Sequence, residues 1–382
     1  MRISRRGQVD PFIVMDVLRA ARAAEEAGRH IIHMEIGQPA TPAPAMARKA
    51  LAQAMERDAL GYTVALGLPA LRRGIAALYA RWYGIDLNPD RVIVTAGSSA
   101  AFLLSFTTLF DAGDRVGLGE PGYPSYRQIL RALSLEPVGL PASDANRLQP
   151  VPADFAAVDL KGLIVASPGN PSGTMLGKPQ LAALVQAAAA RGISFISDEI
   201  YHGLHYGDRA VTALEVSDHV HVINSFSKYF SMTGWRIGWM VVPEDHIRTV
   251  ERLAQNMFIC PPHASQIAAL AALECIDELE ANRATYAENR RLMLEGLPSA
   301  GFHKIAPPDG AFYIYADVSD LTDDSLSFAA EILDGAGVAV TPGLDFDPHR
   351  GGRTLRFSYA GATSDIAEGI ARLTAFMAGR KA

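Results

Sequence analysis

Cysteine is nearly absent from this chain of 382 residues; the two present, Cys260 and Cys275, are too few for a disulfide framework and lack metal-ligand spacing. A disulfide-stapled secreted scaffold is excluded, and a reducing compartment is expected, so the protein is read as cytoplasmic. Long hydrophobic runs are missing too. Charges or glycines interrupt every apolar stretch before it reaches the length of a bilayer span. The basic start MRISRRG leads into Val9-Asp10-Pro11 and a mixed helical pattern, without the apolar core of a signal peptide. Nor is there an excess of positive charge: the net charge is −6 and no basic stripe is present, which argues against nucleic acid or a membrane surface as partner. Internal repeats and low-complexity tracts are likewise lacking. What is there is a chain 49% hydrophobic, long enough for a sizeable core, for which a small-molecule partner is expected.

The apolar pattern divides the chain. Helical spacing from Pro11 to Gly28 is followed by IIHMEIGQPATPAP, a short extended run breaking into a Pro-rich turn, and residues 1–43 are read as an N-terminal arm belonging partly to a small domain. From 44 to 285, runs such as RVIVTAG, LKGLIVASPGN, ISFISDEIY and VHVINSFSK alternate with helical segments. Such runs predict an α/β large domain with a mostly parallel sheet covered on both faces. From 286 to 382, FHKIAPPDGAFYIYADVS and RTLRFSYA read as strands around helices, forming a smaller α+β domain.

In open α/β sheets ligands bind beyond the carboxyl ends of the strands. The strand ends here carry Gly97-Ser98-Ser99, Tyr123, Asn170, Asp198 with Tyr201, and Ser225 with Lys228. Small residues at a strand-to-helix turn offer free amides and the positive end of a helix dipole to a phosphate, although ordinary helix capping explains Ser98 and Ser99 as well. A carboxylate at the end of an apolar strand, as in SDEIY, needs a cation, and a pyridinium nitrogen is one; the alternative is Asp198 as a helix cap and Tyr201 as a core aromatic. Asn170 in SPGNPSG also suits a plain turn, and Tyr123 in EPGYPSY a plain loop aromatic. Lys228 in NSFSKYFSMTGWRIGW stands among Ser225, Ser227, Ser231 and Arg236. In a partly dry site beside Arg236 its pKa would fall, so that it could attack a carbonyl as free amine. Arg236 and Ser225 together suit a phosphate.

These residues resemble, nearly end to end, the class I/II (fold-type I) aminotransferases that use pyridoxal 5'-phosphate, above all in S-F-S-K followed by M-T-G-W-R-I-G. The resemblance implies a seven-stranded-type sheet between helices, with Lys228 as the lysine that carries the cofactor and shuttles the proton. By the same resemblance Ser225, Arg236, Ser98 and Ser99 hold the phosphate. Asp198 and Tyr201, in D-x-x-Y, hold the ring nitrogen and ring oxygen. Tyr123 stacks on the ring, and Asn170 and Arg356 (in LRFSYA) hold the substrate carboxylate, over which the Gly37 backbone of IGQP closes. Ser167 stands where the family's first N-P-x-N-P-x-G asparagine is usual. Tyr62, in GYT, is implied to reach the neighbouring subunit's cofactor, which makes the protein a homodimer with shared sites. The implied activity is transfer of an amino group from an L-amino acid to a 2-oxo acid by a ping-pong mechanism.

Two other readings stay open: a carbon–sulfur β-lyase on the same scaffold, and a non-catalytic cofactor-sensing domain, against which stands the lack of a winged-helix pattern before the main domain. Ser98-Ser99 leans towards a neutral amino donor. Phe12 and Ile13 either line the side-chain pocket or pack the arm onto the core. Of His202, His205, His219 and His221, the H-x-H pair lies on an apparent strand with no carboxylate at ligand spacing, so structural or surface histidines are expected and no metal.

Overall fold

The arm is held by the far end of the chain. Helix Ile13–Glu26 has no capping side chain of its own; the two carboxylate oxygens of Asp345 accept from the amides of Ile13 and Val14 at 3.0 and 2.9 Å and close its start. Gly28, with φ +88°, turns the chain out of the helix. Strand β1 (Ile32–His33) then pairs in parallel with a strand near the C-terminus, Ile32 against Val338. The computed structural model describes residues 1–380.

The expected large sheet has seven strands: β2 (Val92–Thr95), β3 (Arg115–Glu120), β4 (Glu136–Pro141), β5 (Gly162–Ala166), β6 (Ser194–Asp198), β7 (His221–Ser225) and β8 (Gly238–Val241). Their spatial order is β2-β8-β7-β6-β5-β3-β4, parallel from β4 to β7, while β8 runs antiparallel to both neighbours. The period of two decides the layers. Val94, Val165, Val222 and Trp239 face one core, whereas Ile93, Ile164, Ile223 and Met240 face the other, so β2, β5, β7 and β8 are apolar on both faces.

A second sheet is built from β9 (Lys304–Ile305), β10 (Tyr313–Asp317), β12 (Thr341–Pro342) and β13 (Thr354–Ser358), while β11 (Val338–Ala339) pairs with β1. This sheet is antiparallel, in the order β12-β13-β10-β9. Residue 286, where the small domain is expected to begin, lies inside the unbroken helix Ile276–Ser299.

Candidate active site

Strand register gathers the expected residues at one edge. Ala166 pairs with Asp198 and Asp198 with Ile223, so the carboxyl ends of β5, β6 and β7 lie level. The antiparallel β8 brings its first residue, Gly238, beside both Thr95 and Ser225, and so delivers Arg236 to the turn after β2.

That turn opens helix Gly97–Leu109, whose N-cap, Ala96, offers no side-chain acceptor. The capping reading of Ser98 and Ser99 therefore has no bond to support it, and the first-turn amides are free for an anion. Gly97 has φ +76°, and a Cβ there would overlap the Arg236 guanidinium. Arg236 is exposed, has φ +51°, and donates from Nη1 to the Thr233 carbonyl at 2.9 Å. Buried Ser225 lies 2.8 Å from Ser227, oxygen to oxygen.

Asp198 ends β6 in the interior. Its Oδ1 accepts from the Ile200 amide at 3.1 Å and its Oδ2 from the Tyr126 hydroxyl. Burial pushes its pKa up to about 6; the Tyr126 and Ile200 bonds and Lys228 act the other way. Tyr126 is absent from the site residues expected from sequence. Its signal is its place in EPGYPSY, three residues beyond Tyr123 in the first turn of helix Pro124–Ala132. Tyr123 stands edge-on to Tyr126 at 5.3 Å between ring centroids, and to Phe12 of the arm at 6.0 Å. Tyr201 is buried with its hydroxyl 2.9 Å from that of Tyr313, a second residue that sequence reasoning misses.

Arg356 is buried in the middle of β13. Its Nη1 donates to Asn170 Oδ1 at 2.9 Å and its Nη2 to the Glu35 carbonyl at 2.5 Å. Nε has no partner, and the guanidinium lies 4.4 and 4.8 Å from the ring centroids of Tyr313 and Phe346. The other buried arginine among the described residues, Arg91, pairs with Asp218 at 2.6 Å. Arg356 has no carboxylate partner among the described residues, and such a cation is costly until an anion joins it.

Between these groups Lys228 donates from Nζ to the Gly37 carbonyl at 2.6 Å and lies 5.8 Å from the ring centroids of Tyr201 and Phe312. Burial first, then Arg356 and Arg236, lower its pKa to about 8, against the pull of Asp198. Gly37 must be glycine, since a Cβ would overlap the Tyr313 hydroxyl.

Tyr62 makes none of these contacts: it is 83% exposed. Among the histidines, His202 lies 2.9 Å from the Ser167 carbonyl and 2.6 Å from the Tyr83 hydroxyl, and His221 lies 2.7 Å from Ser105 and 2.9 Å from His246. Among the described residues no group of His, Cys, Asp or Glu is arranged to hold a metal, and no helix is long and apolar enough to cross a membrane.

Known proteins resemble this chain over nearly its whole length. The family model for aminotransferase class I and II matches residues 29–373. A valine–pyruvate aminotransferase of Mycobacterium tuberculosis is 47% identical, with 98% of each chain covered. Among solved structures, a putative aminotransferase from Silicibacter pomeroyi is 69% identical with a TM-score of 0.96, covering 100% of both chains. An aminotransferase from Mycobacterium tuberculosis superposes with a TM-score of 0.97 at 47% identity, over 99% of this chain and 100% of that one. The chain belongs to the class I and II aminotransferases, enzymes that use pyridoxal 5'-phosphate to move an amino group from an amino acid to a 2-oxo acid.

Proposed function

We propose that this enzyme takes its amino group from a neutral aliphatic L-amino acid and gives it to a small, pyruvate-like 2-oxo acid. The observation that carries this reading is that Arg356 is, among the described residues, the one buried guanidinium left for a carboxylate. Arg127 is bound to Glu120 and Arg350 to Asp347, each at 2.7 Å, so neither of these is left for a second, side-chain carboxylate. The name of the 47% identical relative agrees.

The residues fit the cofactor. An uncapped helix start with Arg236 over it suits the phosphate, and a buried Asp198 without a cationic partner suits a protonated ring nitrogen. We assign Ser98, Ser99, Ser225, Arg236 and the partner subunit's Tyr62 to the phosphate, Tyr123 to the ring face, and Tyr201 to the ring oxygen. Bound pyridoxal phosphate supplies an aldehyde for the amine and a ring that accepts the electron pair released at Cα. Asp198 keeps its negative charge at the ring nitrogen. Arg356 and Asn170 would grip the carboxylate and so present the Cα–H bond to Lys228. Lys228 Nζ would take that proton from Cα and hold it as the ammonium for its return.

The test is a matrix of amino donors against pyruvate and 2-oxoglutarate, read by product formation. Valine or alanine with a monocarboxylic oxo acid should outrun aspartate and glutamate by on the order of a hundredfold or more in kcat/KM, the value of one unpaired buried charge. A preference for aspartate would overturn the assignment. Pyruvate and ammonia from cysteine, with no oxo acid added, would mark a lyase instead.

We place Tyr62 in a homodimer interface, with Val64, Met257 and Ile259 as exposed apolar neighbours on segments tied by Gly61–His263 and Thr63–Gln266 hydrogen bonds. Tyr62→Phe should weaken cofactor binding about tenfold. A hybrid of Tyr62→Phe and Lys228→Ala subunits should regain one site of wild-type affinity. A monomer in sedimentation, or unchanged affinity in Tyr62→Phe, would refute it. The two free thiols agree with a cytoplasmic enzyme.

A further inference from the structure

Tyr313 is a side chain that touches both halves of the site. It begins β10, is buried, and pairs across the sheet with Ser358 of β13, two residues from Arg356. One face of its ring lies 4.4 Å from the Arg356 guanidinium carbon, while its hydroxyl lies 2.9 Å from that of Tyr201 and against the Gly37 backbone. Its backbone is held as firmly. The preceding residues Gly310 and Ala311 donate to the carbonyls of Gly173 and Leu204, both at 2.9 Å, so the strap into β10 is fixed to the loop of Asn170 and the loop after Tyr201.

We propose that Tyr313 is a positioning residue that couples the carboxylate fork of Arg356 to the hydroxyl of Tyr201. The ring face keeps Arg356 flat and aimed without supplying an anion that would compete with the substrate. The hydroxyl holds Tyr201 in one rotamer; once Tyr201 turns its proton to the ring oxygen, the Tyr313 hydroxyl is free to donate to the Tyr201 oxygen and so makes Tyr201 a stronger donor. A carboxylate docking on Arg356 therefore acts on a group whose other end already steadies the ring-oxygen donor. This inference rests on the roles assigned above to Arg356 and Tyr201.

Two variants separate the two contacts. Tyr313→Phe keeps the ring and removes the hydroxyl. The pH midpoint at which the lysine-bound cofactor changes colour should rise by about half a unit, because the ring oxygen's negative charge loses support, while KM for the amino acid stays within about twofold. In a Tyr201→Phe background the same change should add no further shift. Tyr313→Leu removes the ring face as well and should weaken binding of a non-reacting carboxylate analogue about tenfold. A residue that merely fills space would lower the melting temperature and move neither reading. An unmoved midpoint in Tyr313→Phe, or unchanged analogue affinity in Tyr313→Leu, would overturn the proposal. The colour titration needs no substrate turnover, so it still reports on Tyr313 if the aliphatic-donor assignment fails.

Discussion

Lys228→Ala is expected to give a protein that loses its yellow colour on dialysis, cannot be labelled by borohydride, and turns over at least about 10⁴-fold more slowly. Two losses combine. The variant has no amine to bind the aldehyde, and it has no base within reach of the substrate Cα, since the remaining ionisable groups near the cleft are a carboxylate facing the ring nitrogen, buried phenols and arginines. The wild-type amine is prepared for both tasks by its surroundings: burial and the charges of Arg356 and Arg236 bring its pKa to about 8. Roughly a tenth of it is then free amine at pH 7, where an ordinary lysine has less than about a thousandth. Capture of the aldehyde by cofactor-free enzyme should accordingly speed up several-fold, by about fivefold, between pH 7 and pH 8 and level off above about pH 9. Stopped-flow absorbance measures this directly. A yellow, active Lys228→Ala enzyme would end the assignment, and a rate still climbing steeply through pH 10 would show that the lowered pKa is wrong.

The parts legible in the sequence are those whose chemistry is local. Asp198, Ser225 and Asn170 each follow a continuous apolar run, and a strand end in such a sheet points at one edge whatever the rest of the chain does. Helix Ser325–Ala336 is readable from its own periodicity, with Gly337 in the left-handed region as its stop. What sequence does not display are the contacts that need the fold first. Tyr126 and Asp198 are 72 residues apart, and Tyr201 and Tyr313 are 112 apart. Each tyrosine, taken alone, is indistinguishable from a core aromatic. The direction of β8 is hidden for the same reason: RIGWMVVP has the same apolar run whether it pairs parallel or antiparallel, and the connection from Ser225 to Gly238 is long enough for either. The exposed setting of Tyr62 likewise has no local signature.

Asp198→Asn should slow cleavage of the Cα–H bond on the order of a thousandfold, with little change in the shape of the site. The substitution is isosteric. An amide oxygen can still accept from the Ile200 amide, and the Tyr126 hydroxyl can turn to accept from the new NH₂ group. What disappears is the charge that keeps the ring nitrogen protonated, and with it the acceptor for the electron pair left at Cα. Exchange of the Cα hydrogen with deuterated solvent isolates this step from the rest of the cycle; wild-type exchange in Asp198→Asn would contradict the role. Stability gives a second, independent reading. In the cofactor-free protein the folded pKa of Asp198 is about 6 against an ordinary value of 3.8. The contribution of this group is thus fully present below about pH 4 and is lost as pH rises through about 6, by at most about 3 kcal/mol. The amide introduced by Asp198→Asn does not titrate, so the cofactor-free variant should gain on the wild type in urea denaturation between about pH 4 and pH 7. Cofactor reverses the order, because only the ionised carboxylate can meet the cationic ring. A variant that stays more stable than the wild type with cofactor bound would mean that this carboxylate has no counter-charge to meet, and the site would have to be read again without a protonated ring.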